Sequence, residues 1–414
     1  MNAKKHWTDK VILAGFFLLA LAGLTFYPLN VNALFSIDPA PISPQVFVTA
    51  NANGTASILN ASTGIVRHVQ LPRPVAAAIN VETSPTNGMA YVLYENSLIG
   101  ETTFEVGVLD ALNGRFVKKL QGIIEYFAWD MEISPDGKYL LVATAEGGYP
   151  NLLPYLYVFD TNLGKLTEKI ELSNVKTPAD GVPKIAVSYD NRYAFVSNNY
   201  RKEAYVYNLD TKTLTGTIPL VPTNEIGIIE LAPTANSAMW LWVPNGPGTT
   251  IRTRTAIVPS LGFVDARYPQ LKAPNVGAGG LKYDPLSGIL AMAVTNKIYN
   301  VTSNCSIELQ NPPPGYYLPH SMNFSPISGH LYLTAGDDFI TVNPAACSLV
   351  SSMTLPDTTN TGALTPDGAF YAATTVGNIY VVPTNATSPS QIKKYNIGNT
   401  PINDIEAVHS VQFN

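Results

Sequence analysis

One turn, repeated at a nearly constant interval, limits what this chain can fold into more than any other feature. It reads Ser84-Pro-Thr-Asn-Gly, Ser134-Pro-Asp-Gly, Ser188-Tyr-Asp-Asn, Ala232-Pro-Thr-Ala-Asn, Asp284-Pro-Leu-Ser-Gly, Ser325-Pro-Ile-Ser-Gly and Thr365-Pro-Asp-Gly, seven instances in all. Proline fixes φ at the first corner and Gly or Asn accepts positive φ at the last, so each is a hairpin turn between short strands. A second turn, mostly opened by Asp or Asn, follows at Asn60, Asp110, Asp160, Asp210, Pro259, Asn300, Asn343 and Thr384. The spacing of roughly 40 to 50 residues is the period of a propeller blade.

Eight second turns against seven first turns point to a closed ring. The first unit has no opening strand, and the chain ends in an orphan alternating strand, Ile405-Glu-Ala-Val-His-Ser-Val-Gln-Phe. Joined, they give an all-β, eight-bladed β-propeller of four-stranded antiparallel blades, its ring closed by the C-terminal strand in the N-terminal blade. Seven blades are the alternative if one compact late unit is irregular. A two-domain β-sandwich is disfavoured by the regular spacing through the middle of the chain.

Residues 1–33 read differently. Lys4, Lys5, His6 and Lys10 precede an apolar run from Val11 to Tyr27, and the segment ends Val31-Asn32-Ala33, with small or branched residues where a signal peptidase acts. This predicts an export signal, or, uncleaved, an N-terminal membrane anchor. Residues 34–45, with Pro39, Pro41 and Pro44, form a Pro-rich linker, and 46–414 form the propeller. Either way the body is expected outside the cytoplasm, secreted or held at the cell surface. A net charge of -5 with no basic stripe speaks against nucleic acid. Only 13 % of residues are charged, so Ser, Thr, Asn, Gly and Tyr must cover much of the surface.

The stretches Pro183-Lys-Ile-Ala-Val-Ser-Tyr-Asp-Asn-Arg-Tyr-Ala-Phe-Val-Ser-Asn-Asn and Ala204-Tyr-Val-Tyr-Asn-Leu-Asp-Thr-Lys-Thr-Leu-Thr-Gly-Thr-Ile-Pro-Leu are similar to the YVTN-type repeats of lactonase-like and quinoprotein-dehydrogenase-like propellers. The likeness is best over 75–220. It implies a fold shared by enzymes, surface proteins and binding modules, and it carries no site residue across.

In a propeller, the loops joining second to third strands, and each blade to the next, gather on one face around the central channel, the default ligand site. Here those loops are poor in charge and hold Tyr149, Tyr155, Tyr200, Tyr316 and Tyr317, suited to a sugar ring or a protein partner. Aligning first strands on their turns puts Glu82, Glu132, Glu230, Lys282 and Asn323 at one level, with Asn80, Asp130, Lys184, Ser321 and Thr361 two residues earlier. These side chains are expected to line the channel, either as a solvated wall with ion pairs or as ligands for Ca²⁺. His320 alone among the histidines of the body lies near the loop face, and no His-x-x-x-His, Cys-x-x-Cys or Gly-x-Ser-x-Gly pattern occurs.

Cys305 and Cys347 each follow a second turn in neighbouring blades, at the wide rim. An exported protein would ordinarily pair them, but that placement predicts a separation beyond the roughly 7 Å limit for a bridge, hence two free thiols unless the short loop after Asn300 brings Cys305 across. Sequons at Asn53, Asn60, Asn300, Asn304 and Asn385 suggest a glycoprotein, and the sequon at Asn323 falls inside an innermost strand. The expectation is an exported, non-catalytic propeller binding a protein or glycan, or building part of an extracellular coat. The competing reading is a secreted lactonase-like hydrolase with its site at the channel mouth.

Overall fold

In the computed structural model of the chain, the described residues are 45–72, 76–98, 101–125, 127–146, 153–173, 184–198, 202–220, 230–242, 250–272, 278–294, 297–309 and 321–409. Residues 1–44, where an export signal or anchor and a linker are expected, and the residues Tyr149, Tyr200, Tyr316, Tyr317 and His320 lie outside them. Among the described residues no helix is long and apolar enough to cross a membrane.

The strands form eight four-stranded antiparallel sheets. Blade 1 takes Ile402–Ala407 as its first strand, then Val46–Asn51, Thr55–Asn60 and Ile65–Gln70. Blade 2 runs Ala78–Thr83, Met89–Leu98, Glu101–Asp110 and Arg115–Lys119, and blade 3 runs Phe127–Ile133, Tyr139–Glu146, Leu153–Asp160 and Lys165–Glu171. Blades 4 to 8 open with Ile185–Val187, Glu230–Pro233, Ala278–Asp284, Ser321–Phe324 and Gly362–Leu364 and continue in the same order. Each first strand touches the first strands of both neighbouring blades, so the eight form a closed inner ring. The C-terminal strand closes it, with Phe47 opposite Ala407 and Ala50 opposite Asp404.

Among the described residues there is no central core. The buried side chains fall into eight clusters, one in each gap between neighbouring blades. Alternate residues of one strand therefore serve different gaps: Leu140 and Val142 face blade 2, Leu141 and Ala143 face blade 4. With both faces covered, second and third strands read as continuous apolar runs such as Tyr205-Val-Tyr, while fourth strands, at the rim, are largely exposed.

The turns are locked as their residue types require. Ser134 Oγ donates to Asp136 Oδ1 (2.6 Å) and accepts the Tyr139 N–H (2.9 Å), and Ser188 repeats this with Asp190 and Tyr193. In the second turns the Asx oxygen accepts the N–H three residues on, as from Asp110 to Asn113 and from Asp160 to Leu163. In blade 4 this role falls to Asn208, which caps Thr211, so the turn opens two residues before Asp210. In blade 5 the turn is shorter than its proline suggests. Pro233 pairs with Ala238 inside the sheet and the Thr234 N–H bonds Ser237 O, which moves Glu230 from the level of Glu132 to that of Asp130.

The expectation of free thiols is overturned: Cys305 and Cys347 form a disulfide with Cα atoms 6.3 Å apart. The two are not equivalent. Cys305 opens the fourth strand of blade 6, whereas Cys347 lies in the turn before the fourth strand of blade 7, at φ 53°. That turn is drawn toward blade 6 by the buried Asn300 amide, which donates to Pro344 O (2.8 Å).

Candidate functional site in the central channel

The first strands present two levels of side chains to the channel. On the lower level Glu406, Glu82 and Glu132 come from three consecutive blades, each opposite the third residue of its neighbouring strand, Val48, Tyr91 and Leu141. Ala186, Lys282, Asn323 and Ala363 continue this level in blades 4, 6, 7 and 8. One residue pair higher stand Asp404, Asn80, Asp130 and Lys184, then Ser321 and Thr361. A β-bulge recurs just above this level in blades 1, 2, 3 and 6, bending the strands at the mouth. Five carboxyls thus share one side of the channel, from blades 1 to 3, while Lys184 and Lys282 come from blades 4 and 6.

The two aspartates are staples. Asp404 Oδ2 accepts the Val81 N–H of the next blade (3.0 Å), and Asp130 Oδ2 accepts the Ile185 N–H of the next blade (2.8 Å). Both N–H groups occupy the same register on the channel-side edge of a first strand, where no further strand exists to accept them. Lys184 Nζ adds an ion pair to Asp130 Oδ1 at 3.2 Å. Burial holds the Asp130 carboxyl above its usual range, with Lys184 and the Ile185 N–H pulling it back.

The glutamates differ. Among the described residues Glu82 and Glu132 receive no hydrogen bond or ion pair. They stand partly accessible at the wall yet enclosed by protein, and burial is the largest cause of their raised pKa values. Burial, then Glu132, Glu406, Asp404 and Asp130, push the Glu82 carboxyl well above the carboxylate range. Burial and Asp130 push Glu132 up to about 8, against Lys282 and Lys184; burial and Asp404 push Glu406 up to about 8, against Lys282. Asp404 rises to about 6, burial outweighing its two backbone N–H bonds. Among the described residues no group of His, Cys, Asp and Glu is disposed to hold a metal ion.

At the loop-face end of the same wall, Phe127 opens the first strand of blade 3 and is 55 % exposed, with its ring edge-on to buried Phe104 at 5.6 Å. Ile123 nearby is 53 % exposed. Both sit beside the third strand of blade 2, which Phe127 meets through Phe104 and the segment of Ile123 meets through the bridge of Ile124 to Phe104; that strand and the second strand paired with it, at ten residues each, outrun the second and third strands of the other blades. The strand that carries Asp130 and Glu132 thus begins, on the loop face, at an apolar patch.

Sequence reasoning placed Glu82, Glu132, Asp130, Lys184 and Lys282 on the channel. It missed Asp404 and Glu406, because the closing strand is followed by no turn from which to count its register. Alternation from Ile402 through Ile405 and Ala407 was the signal that marked them. Phe127 was missed because an apolar residue at a strand end looks like core. The side chains of Glu230, His320, Tyr149 and Tyr316 lie outside the described residues. Of the sequons, Asn53, Asn60 and Asn385 occupy turns or a strand end with the side chain at least partly accessible. Asn300 is buried with both ends of its amide engaged, by Pro344 O and the Ser303 N–H, which leaves no path for a glycan. Asn304 has a buried side-chain oxygen, and Asn323 donates to Gly362 O in the channel wall.

No family model matches the sequence, and no curated protein matches it. Among solved structures the chain is similar to AztD of Citrobacter koseri (12 % identity, 89 % of this chain and 99 % of that one, TM-score 0.54). It is also similar to the dihydro-heme d1 dehydrogenase NirN in complex with DHE (15 %, 90 % and 76 %, 0.56) and to Kuenenia stuttgartiensis hydrazine synthase (13 %, 76 % and 97 %, 0.52). At such identities the likeness bears on the propeller fold alone.

Proposed function

We propose that the protein is an exported, non-catalytic propeller that binds a protein or glycan partner on its loop face. The observation that carries this is the exposed pair Phe127 and Ile123 on the loop face, Phe127 opening the first strand of blade 3 and Ile123 in the segment that leads into it, both beside the third strand of blade 2. An apolar ring standing on a rigid wall is a contact that a sugar face or a protein side chain covers at small entropic cost. The disulfide supports an oxidising compartment. Gln45, the first described residue, lies on the turn face, its backbone paired with Ala61 and its amide donating to Asp367 of blade 8 (3.0 Å), at the opposite end of the blades from Phe127.

The test is capture from extracellular material and a glycan array with wild-type protein and Phe127→Ala. Binding weakened at least tenfold with an unchanged melting temperature is the expected result. Binding indifferent to Phe127→Ala, or lactone or ester hydrolysis by the purified protein, overturns the reading.

A further inference from the structure

The strand Ile402–Ala407 is fastened sideways to the first strand of blade 2 by three bonds. Asn403 Nδ2 donates to Ala78 O (2.6 Å), the Val81 N–H donates to Asp404 Oδ2 (3.0 Å), and Thr83 Oγ1 donates to Ala407 O (2.7 Å). The same two strands bring Glu406 and Glu82 to one level of the channel wall, with Glu132 beside them on blade 3. We propose that the closing strand is a proton-sensitive clasp, held while the inward glutamates carry protons and loosened when they ionise.

The surroundings leave the glutamates few other means of neutralisation. Asp404 shares the strand of Glu406, and blades 2 and 3 face it with Glu82, Glu132 and Asp130. Val46–Asn51 and Gly362–Leu364, packed against the clasp, bring no ionisable side chain, and Phe370–Thr375 brings only Tyr371, whose hydroxyl pairs with Ser321 Oγ. His409 follows the strand at its turn end. The cations are Lys184, committed to Asp130, and Lys282, which attracts Glu132 and Glu406 without forming an ion pair among the described residues. Three negative charges in a wall of low polarity repel one another, and the strand able to yield is the one that no turn joins to its own blade, Ile402–Ala407 meeting Val46–Asn51 through sheet pairing alone.

The experiment is hydrogen exchange on the full chain in chelator at pH 5.5 and 8.5, read as protection factors corrected for intrinsic exchange. The clasp and Val46–Asn51 should lose at least tenfold in protection at the higher pH while blades 4 to 7 change less than threefold. Glu406→Gln and Glu82→Gln should each flatten that loss, and Glu132→Gln serves if either fails to fold. A pH response spread evenly over all blades, or one unchanged in the glutamine variants, overturns the proposal.

Discussion

Glycine shows most directly how one residue holds a corner. Gly137 closes the Ser-Pro-Asp-Gly turn at φ 73°, and a Cβ there would lie 2.9 Å from Thr86 Oγ1 of the neighbouring blade. Gly329 ends the equivalent turn of blade 7 at φ 66° with nothing within 4 Å. Gly329→Ala should cost about 1 to 2 kcal/mol, the left-handed penalty alone, and Gly137→Ala more, as separate thermal melts will show. Asp130 and Asp404 also act one residue at a time. Asp130→Ala removes the acceptor of the Ile185 N–H and one ion pair of Lys184, and the loss should be about 1 to 3 kcal/mol in denaturant unfolding. The corner glycines were legible as turn chemistry and Asp130 as a polar residue on a first strand, whereas Asp404, on a closing strand with no turn to set its register, was not. Nor were the partners of these residues, on other blades.

At the scale of the element, the blade is a unit whose two faces are both buried, which explains why its middle strands lack the polar alternation of a half-exposed sheet. The rim is where blades touch least, and there the disulfide ties blade 6 to blade 7 across 42 residues of chain. Replacing both cysteines by serine should cost about 4 kcal/mol by the loop-entropy relation. A thiol assay on denatured, unreduced protein should find no free thiol. The spacing of the repeat suggested equivalent, distant positions. What it did not reveal was that one cysteine sits inside a turn that a buried asparagine pulls sideways.

At the scale of the molecule, the inner ring concentrates acid groups that fold at a cost. Glu132 and Glu406, near 8, and Asp404, near 6, hold their protons more tightly folded than unfolded. The stability they contribute is therefore complete below about pH 4, the unfolded carboxyl range, and is lost as pH rises through 6 to 8. The melting temperature in chelator should fall between pH 5 and pH 9, and Glu132→Gln should reduce the fall. Closure itself has a blunt test: a chain ending at Thr400 lacks the first strand of blade 1, exposes the edge of Val46–Asn51, and should lose cooperative unfolding.

The sequence alone determined the repeat, because turn residues, apolar runs and strand lengths are local matters written every 40 to 50 residues or so. From them followed the number of blades, the first strand of blade 1 borrowed from the C-terminus and most of the channel-facing positions. Only the tertiary structure decided which of those positions meet. The ring sets Glu406 beside Glu82, residues more than three hundred positions apart, and brings the turn of Cys347 to the strand of Cys305. Such meetings depend on how blades pack across their gaps, and no local pattern encodes a distance between two blades.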